Sequence, residues 1–166
     1  MEKKLIESGK GLSGMLKMFK STMQGLNLQH NSKIVFIGNP GTCVPFIELF
    51  AYTIRELVQG MVYVPDGLLD DARSIWRVDG VGMQIGGATD PYNADYVILL
   101  GGLSMPGSKV STDACSDIVK KILKPGGKVI GVCFMDMFAK AGWEDKVCFD
   151  LIMNADISSV TVSKFE

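Results

Sequence analysis

Apolar side chains recur along residues 10–26 at Leu12, Met15, Leu16, Phe19, Met23 and Leu26. Steps of three, four and seven place them on one face of a helix, and Met18 widens the stripe. The pattern then changes. Residues 33–37 read Lys-Ile-Val-Phe-Ile. Four apolar residues in a row suit a strand covered on both faces of a sheet. Gly38-Asn39-Pro40-Gly41 forms a tight turn. Residues 45–58 return to helical spacing, with Phe46, Leu49, Phe50, Thr53, Ile54 and Leu57 along one side. Pro45 fits only in the first helical turn, where its missing N–H has no partner to lose. Thr42 is the expected N-cap, its hydroxyl accepting an orphan N–H, and Gly60 the expected stop.

A second strand is expected at residues 61–64, ended by Pro65-Asp66-Gly67, with a short helical turn at 68–73. Residues 74–78 and 81–85 flank Asp79-Gly80, a hairpin signal, and residues 86–93 read as loop. Residues 95–100 read Asp-Tyr-Val-Ile-Leu-Leu, the clearest strand in the chain, and Gly101–Gly107 follows as a turn. A helix is expected over 112–123 with Cys115, Ile118, Val119 and Ile122 inward, closed by Pro125-Gly126-Gly127. Then come a buried strand at 128–134 and a short helix near Phe138. Strands at 146–151 and 158–165 are expected to finish the sheet, antiparallel at its edge. Alternating strand and helix at this spacing points to a three-layer, Rossmann-like α/β domain spanning residues 1–166, with a mainly parallel sheet and an additional N-terminal helix.

Composition narrows the classes. The chain has 166 residues, is 47% hydrophobic and 21% charged, and carries a formal net charge of −1. That balance argues against a nucleic-acid partner. The lysines at 3, 4, 10, 17 and 20 read as a solvated helix face. No apolar run reaches the ~18 residues of a membrane span, and the N-terminus lacks the apolar stretch of a signal peptide. A cytoplasmic location and no membrane partner are expected. The four cysteines, Cys43, Cys115, Cys133 and Cys148, form no C-x-x-C pair, and His30 is the only histidine. No metal site is expected.

Ligands of open parallel sheets sit beyond the carboxyl ends of the strands. Three turns should open there, 38–42, 65–67 and 101–107. The candidate pocket residues are therefore Gly38, Asn39, Gly41, Thr42, Cys43, Asp66, Gly101, Gly102 and Ser104. A helix starting after Gly41-Thr42-Cys43 would offer N–H groups to a phosphate or carboxylate. The turn lacks both Gly-x-Gly-x-x-Gly and the Gly-Lys-Ser/Thr ending of a phosphate loop. Asp66 stands where an acid could meet ribose hydroxyls. Cys43 is the candidate nucleophile, since a helix N-terminus lowers a thiol pKa, and Cys133 could approach the same crevice. Arg73 and Arg77 are candidate anion clamps.

Two resemblances add to this. Ile122-Leu123-Lys124-Pro125-Gly126-Gly127-Lys128-Val129-Ile130 resembles the leucine-lysine-proline-glycine-glycine turn of Rossmann-like S-adenosylmethionine methyltransferases. That family carries an acid at its first strand, where this chain has Phe36-Ile37-Gly38-Asn39-Pro40-Gly41. Gly11-Leu12-Ser13-Gly14, Ile34-Val35-Phe36-Ile37-Gly38 and Gly41-Thr42-Cys43-Val44-Pro45-Phe46 are similar to an archaeal, mostly methanogen family known as a domain of unknown function. The similarity continues through Glu48-Leu49, Ala51-Tyr52 and Ile54-Arg55. It implies an archaeal cytoplasmic protein and assigns no activity. The expected function is small-molecule or nucleotide binding, with a nucleotide or S-adenosylmethionine as cofactor candidates. The alternatives are a methyltransferase-like or thiol-dependent transferase, and a non-catalytic module that homodimerises through residues 10–26.

Overall fold

The computed structural model describes residues 3–165. Helix α1 (Gly11–Gly25) precedes strand β1 (Lys33–Gly38), helix α2 (Val44–Ile54) and strand β2 (Gly60–Pro65). A hairpin of β3 (Arg73–Val78) and β4 (Gly82–Ala88) leads into β5 (Ala94–Leu100). Helix α3 (Thr112–Ile122), strand β6 (Leu123–Phe134), the short helix α4 (Met137–Lys140) and strand β7 (Leu151–Ala155) complete the chain. The seven strands form one sheet in the order β4-β3-β2-β1-β5-β6-β7. Strands β2, β1, β5, β6 and β7 run parallel, and the β3–β4 hairpin is antiparallel at one edge.

The sheet's two faces are read off β1 by alternation. Ile34 and Phe36 meet α1 and α2; Val35 and Ile37 meet α3 and α4. On the first face Phe19 of α1 packs at a tilt against Phe50 of α2 with ring centroids 4.6 Å apart, and against Phe36 of β1 at 6.5 Å. All three rings are fully buried. Removing one, as in Phe19→Ala, costs about 3–5 kcal/mol. Met15, Phe19 and Met23 are thus spent inside the chain. The expected dimer face along residues 10–26 is an internal packing face instead.

Polar groups set the joints. Asp95 Oδ2 accepts the Lys33 N–H at 2.8 Å, and the same carboxylate pairs with Lys124. This ties the starts of β1, β5 and β6 together. Ser111 Oγ accepts the Ala114 N–H and caps α3, with Asp113 in its first turn and Lys120 and Lys121 in its last, favourable at both ends of the helix dipole.

Five expectations change. Helix α2 begins at Val44 without a side-chain cap, so Thr42 is not its N-cap. The buried line of α2 is Ile47, Phe50, Ala51 and Ile54, one step round from the expected one. Gly60 opens β2 rather than stopping the helix. Pro125-Gly126-Gly127 lies in the exposed first half of β6, where the register against β5 shifts, and is no separate turn. The last strand is Leu151–Ala155 and runs parallel to β6. Neither 146–151 nor 158–165 forms the expected antiparallel strand. No helix among the described residues is long and apolar enough to cross a membrane.

Candidate functional site

Because β1, β2 and β5 are parallel neighbours, Gly38, Pro65 and Leu100 end at one rim of the sheet. The three expected turns do converge there. The Asp66 N–H donates to Gly38 O at 3.0 Å, and Asn39 Nδ2 donates to Asp66 Oδ1 at 2.6 Å. The buried Tyr63 hydroxyl also donates to Gly38 O, at 3.3 Å. The β1 and β2 turns are therefore held as a unit. Asp66 sits at φ 47°, a left-handed conformation that aspartate tolerates better than most residues.

On the α1–α2 face of this rim lies a cavity of about 350 Å³. Thr42, Cys43 and Phe46 of the α2 entry form one wall. Leu100, Gly101, Gly102 and Met105 form a second, and Val132 and Phe134 from the end of β6 form a third. The Phe46 and Phe134 rings meet at 4.6 Å. The lining is almost wholly apolar.

Glycines make this approach. A Cβ on Gly38 would stand 2.7 Å from Cys43 Cβ and 3.1 Å from Leu100 Cβ. One on Gly102 would meet Asn39 Oδ1 and lie 2.5 Å from Cys43 Sγ, and one on Gly101 would lie 2.6 Å from Cys133 Cβ. Glycine at these positions serves close approach of packed elements.

Of the sequence-predicted residues, Thr42, Cys43, Gly101 and Gly102 line the cavity. Gly38 lies beneath Cys43, and the Asn39–Asp66 pair stands beside Gly102. Gly41, at φ 83°, belongs to the exposed turn. Ser104 is buried and donates to Gly101 O at 2.8 Å, so it shapes the turn instead of facing a ligand. Arg73 and Arg77 project from β3, and Arg77 pairs with Glu56 and Asp79, away from the rim.

The expected anion cradle is differently wired. The Thr42 N–H donates to Pro40 O and the Cys43 N–H to Asn39 O. Two of the donors meant for an anion are bonded inside the turn. The thiol of Cys43 is likewise not activated. Burial pushes its pKa up, and the nearby Asp66 carboxylate adds to this, against hydrogen bonds from Asn39, Thr42 and Gly102 that act the other way. Burial outweighs those hydrogen bonds. Burial, with Asp66 and Cys43 as neighbours, also raises Tyr63. Cys133 points to the opposite face of the sheet, where its Sγ lies 3.5 Å from Asn154 Oδ1. The two-cysteine site is excluded by that alternation. Among the described residues no group of three or more His, Cys, Asp or Glu is placed to hold a metal ion.

Sequence reasoning missed Phe46 as a lining residue, along with Leu100, Met105, Val132 and Phe134. The signal was present in β6, where residues 132 and 134 must share a face opposite to 133.

A family model described as an uncharacterized protein conserved in archaea (DUF2124) matches residues 10–158. An uncharacterized protein of Methanocaldococcus jannaschii is 38% identical over 157 residues, covering 95% of this chain and 92% of that protein. One from Methanothermobacter thermautotrophicus is 36% identical over 157 residues, covering 95% of each. A crystal structure of a protein of unknown function from Methanothermobacter thermautotrophicus superposes with a TM-score of 0.87 at 32% identity. It covers 99% of this chain and 100% of that one.

Proposed function

The chain belongs to this family of uncharacterized proteins conserved in archaea, and on that premise we propose that it binds a small organic molecule at the carboxyl ends of β1, β5 and β6. It acts as a single-domain protein of the cytoplasm. The observation that carries the reading is the cavity of about 350 Å³ between Cys43, Gly102 and the Phe46–Phe134 pair. Its size and apolar lining fall within the usual range for small-molecule sites, and a few polar groups at such a rim set orientation.

The occupant presents a flat apolar body to Phe46 and Phe134 and a polar edge to Thr42 and the Asn39–Asp66 pair. A nucleotide or S-adenosylmethionine would place its base in the cavity, not its charged groups. The lining supplies no cation for a phosphate, and Asp66 repels one. Thiol catalysis is not part of the reading, because burial keeps Cys43 protonated.

Thermal shift and native mass spectrometry with nucleosides, nucleotides, flavins, S-adenosylmethionine and small aromatic acids test this. Met105 is half exposed at the cavity mouth. Met105→Trp should therefore leave the unliganded protein within about 0.5 kcal/mol of the original while abolishing the shift. A ligand that stabilises both proteins equally would bind elsewhere and overturn the assignment.

A further inference from the structure

Residues 158–165 carry a strand pattern but lie in no strand of the sheet. Val160-Thr161-Val162 has high strand propensity, yet among the described residues this stretch joins no ladder. Its large apolar side chains stand in water: Val160 is 83% exposed, Val162 97% and Phe165 94%. The preceding Ile157 N–H still contacts Met135 Sδ at 3.3 Å, so the stretch departs from the end of β7.

At the other end of the sheet, β4 presents an open edge reading Gly-Met-Gln-Ile-Gly-Gly-Ala. It has none of the charges or prolines that usually protect an edge. A groove of about 670 Å³ runs between this hairpin and α2, with Leu49, Tyr52 and Val81 among its walls. On the opposite face of the hairpin Trp76 is 58% exposed.

The two features match. Alternation puts Val160 and Val162 on one face of an added strand and Phe165 on the other. The first pair suits the groove and the phenylalanine suits Trp76. The tail cannot reach the β4 edge of its own chain. Six interstrand steps separate β7 from β4, about 29 Å at ~4.8 Å per step. Residues 156–158 span roughly 10 Å at full extension.

We propose that residues 158–165 add as an eighth strand to the β4 edge of a second copy of this chain. The exchange is reciprocal, and each contact is made twice about a two-fold axis. The homodimer is thus built by strand addition and leaves α1 and the strand-end cavity untouched.

The test is molar mass by size-exclusion chromatography with light scattering, on the full chain and on point variants at exposed positions that carry no core. The full chain should run at twice 18.0 kDa. The pair Val160→Asp with Val162→Asp should run at 18.0 kDa, with unchanged circular dichroism. So should Val81→Asp, which acts from the groove side. A monomeric full chain, or a dimer that survives the tail variant, would overturn the proposal. A dimer lost with the tail variant but kept with Val81→Asp would place the strand on another edge and overturn the β4 assignment.

Discussion

Cys43 Sγ lies over the α-carbon of Gly102, so close that a Cβ there would sit 2.5 Å from the sulfur. The contact joins the α2 entry to the turn after β5 and defines the depth of the cavity. Gly102→Ala should cost about 1–3 kcal/mol, the usual range for overpacking. Gly87→Ala, where a Cβ meets nothing within 4 Å, should be close to neutral. Urea denaturation of both variants checks the contrast.

The Asn39–Asp66 bond should behave as a joint between β1 and β2. Asp66→Ala loses the acceptor and places alanine at φ 47°. A left-handed residue costs about 1–2 kcal/mol without glycine, asparagine or aspartate there. Asp66→Asn keeps the turn and should lose less. A double-mutant cycle with Asn39→Ala should return a coupling of about 1 kcal/mol or more.

Thiol reactivity should rank by burial. Cys148 is exposed, whereas Cys43, Cys115 and Cys133 are buried. Burial raises the pKa of all three buried thiols, that of Cys115 to about 12. Time-resolved mass spectrometry with a maleimide near neutral pH should label Cys148 first, with the other three slower by at least tenfold. Fast labelling of Cys43 would revive nucleophilic chemistry at the cavity.

The same shifts fix an alkaline limit. Unfolded cysteines release their protons around the ordinary value of 9.0, before the buried ones do. The folded state then binds more protons than the unfolded state, so stability falls as pH rises. The loss should start near pH 9.0 and continue for Cys115 to about 12. Cys115→Ala should flatten the decline between pH 9.0 and about 12, as measured by denaturant midpoints.

At acid pH the sign reverses. Burial alone would raise Asp95, but its bonds to Lys124 and the Lys33 N–H outweigh it and hold the carboxyl below its ordinary 3.8. That contribution is present above 3.8 and is lost as pH falls further. Asp95→Asn should lower stability near neutral pH and reduce its dependence on acid, again read from denaturant midpoints.

The parts of the fold legible in the sequence were those with one dominant period. Residues 34–37 and 96–100 are apolar without a break and form the sheet centre. The α1 stripe has polar neighbours that define its face. Helix α2 was read one step out because Val44, Phe46, Ile47, Leu49 and Phe50 surround it with apolar side chains, which leaves periodicity little contrast. The rim was legible as three turns, since parallel strands must end together. The wiring of Thr42 and Cys43 was not, because bonds to Pro40 O and Asn39 O follow from turn geometry. The partners of Cys43 across the cavity come from β6, about ninety residues downstream, a contact that follows from sheet order and not from local pattern.

The most direct test of the binding site is fragment crystallography. Crystals of the protein are soaked with a library of small planar heterocycles, with Met105→Trp as the control. The account expects fragments to cluster between Phe46 and Phe134 above Cys43, and to vanish from that place in the variant. Fragments gathering in the groove between α2 and the β3–β4 hairpin, with the strand-end cavity vacant, would contradict it.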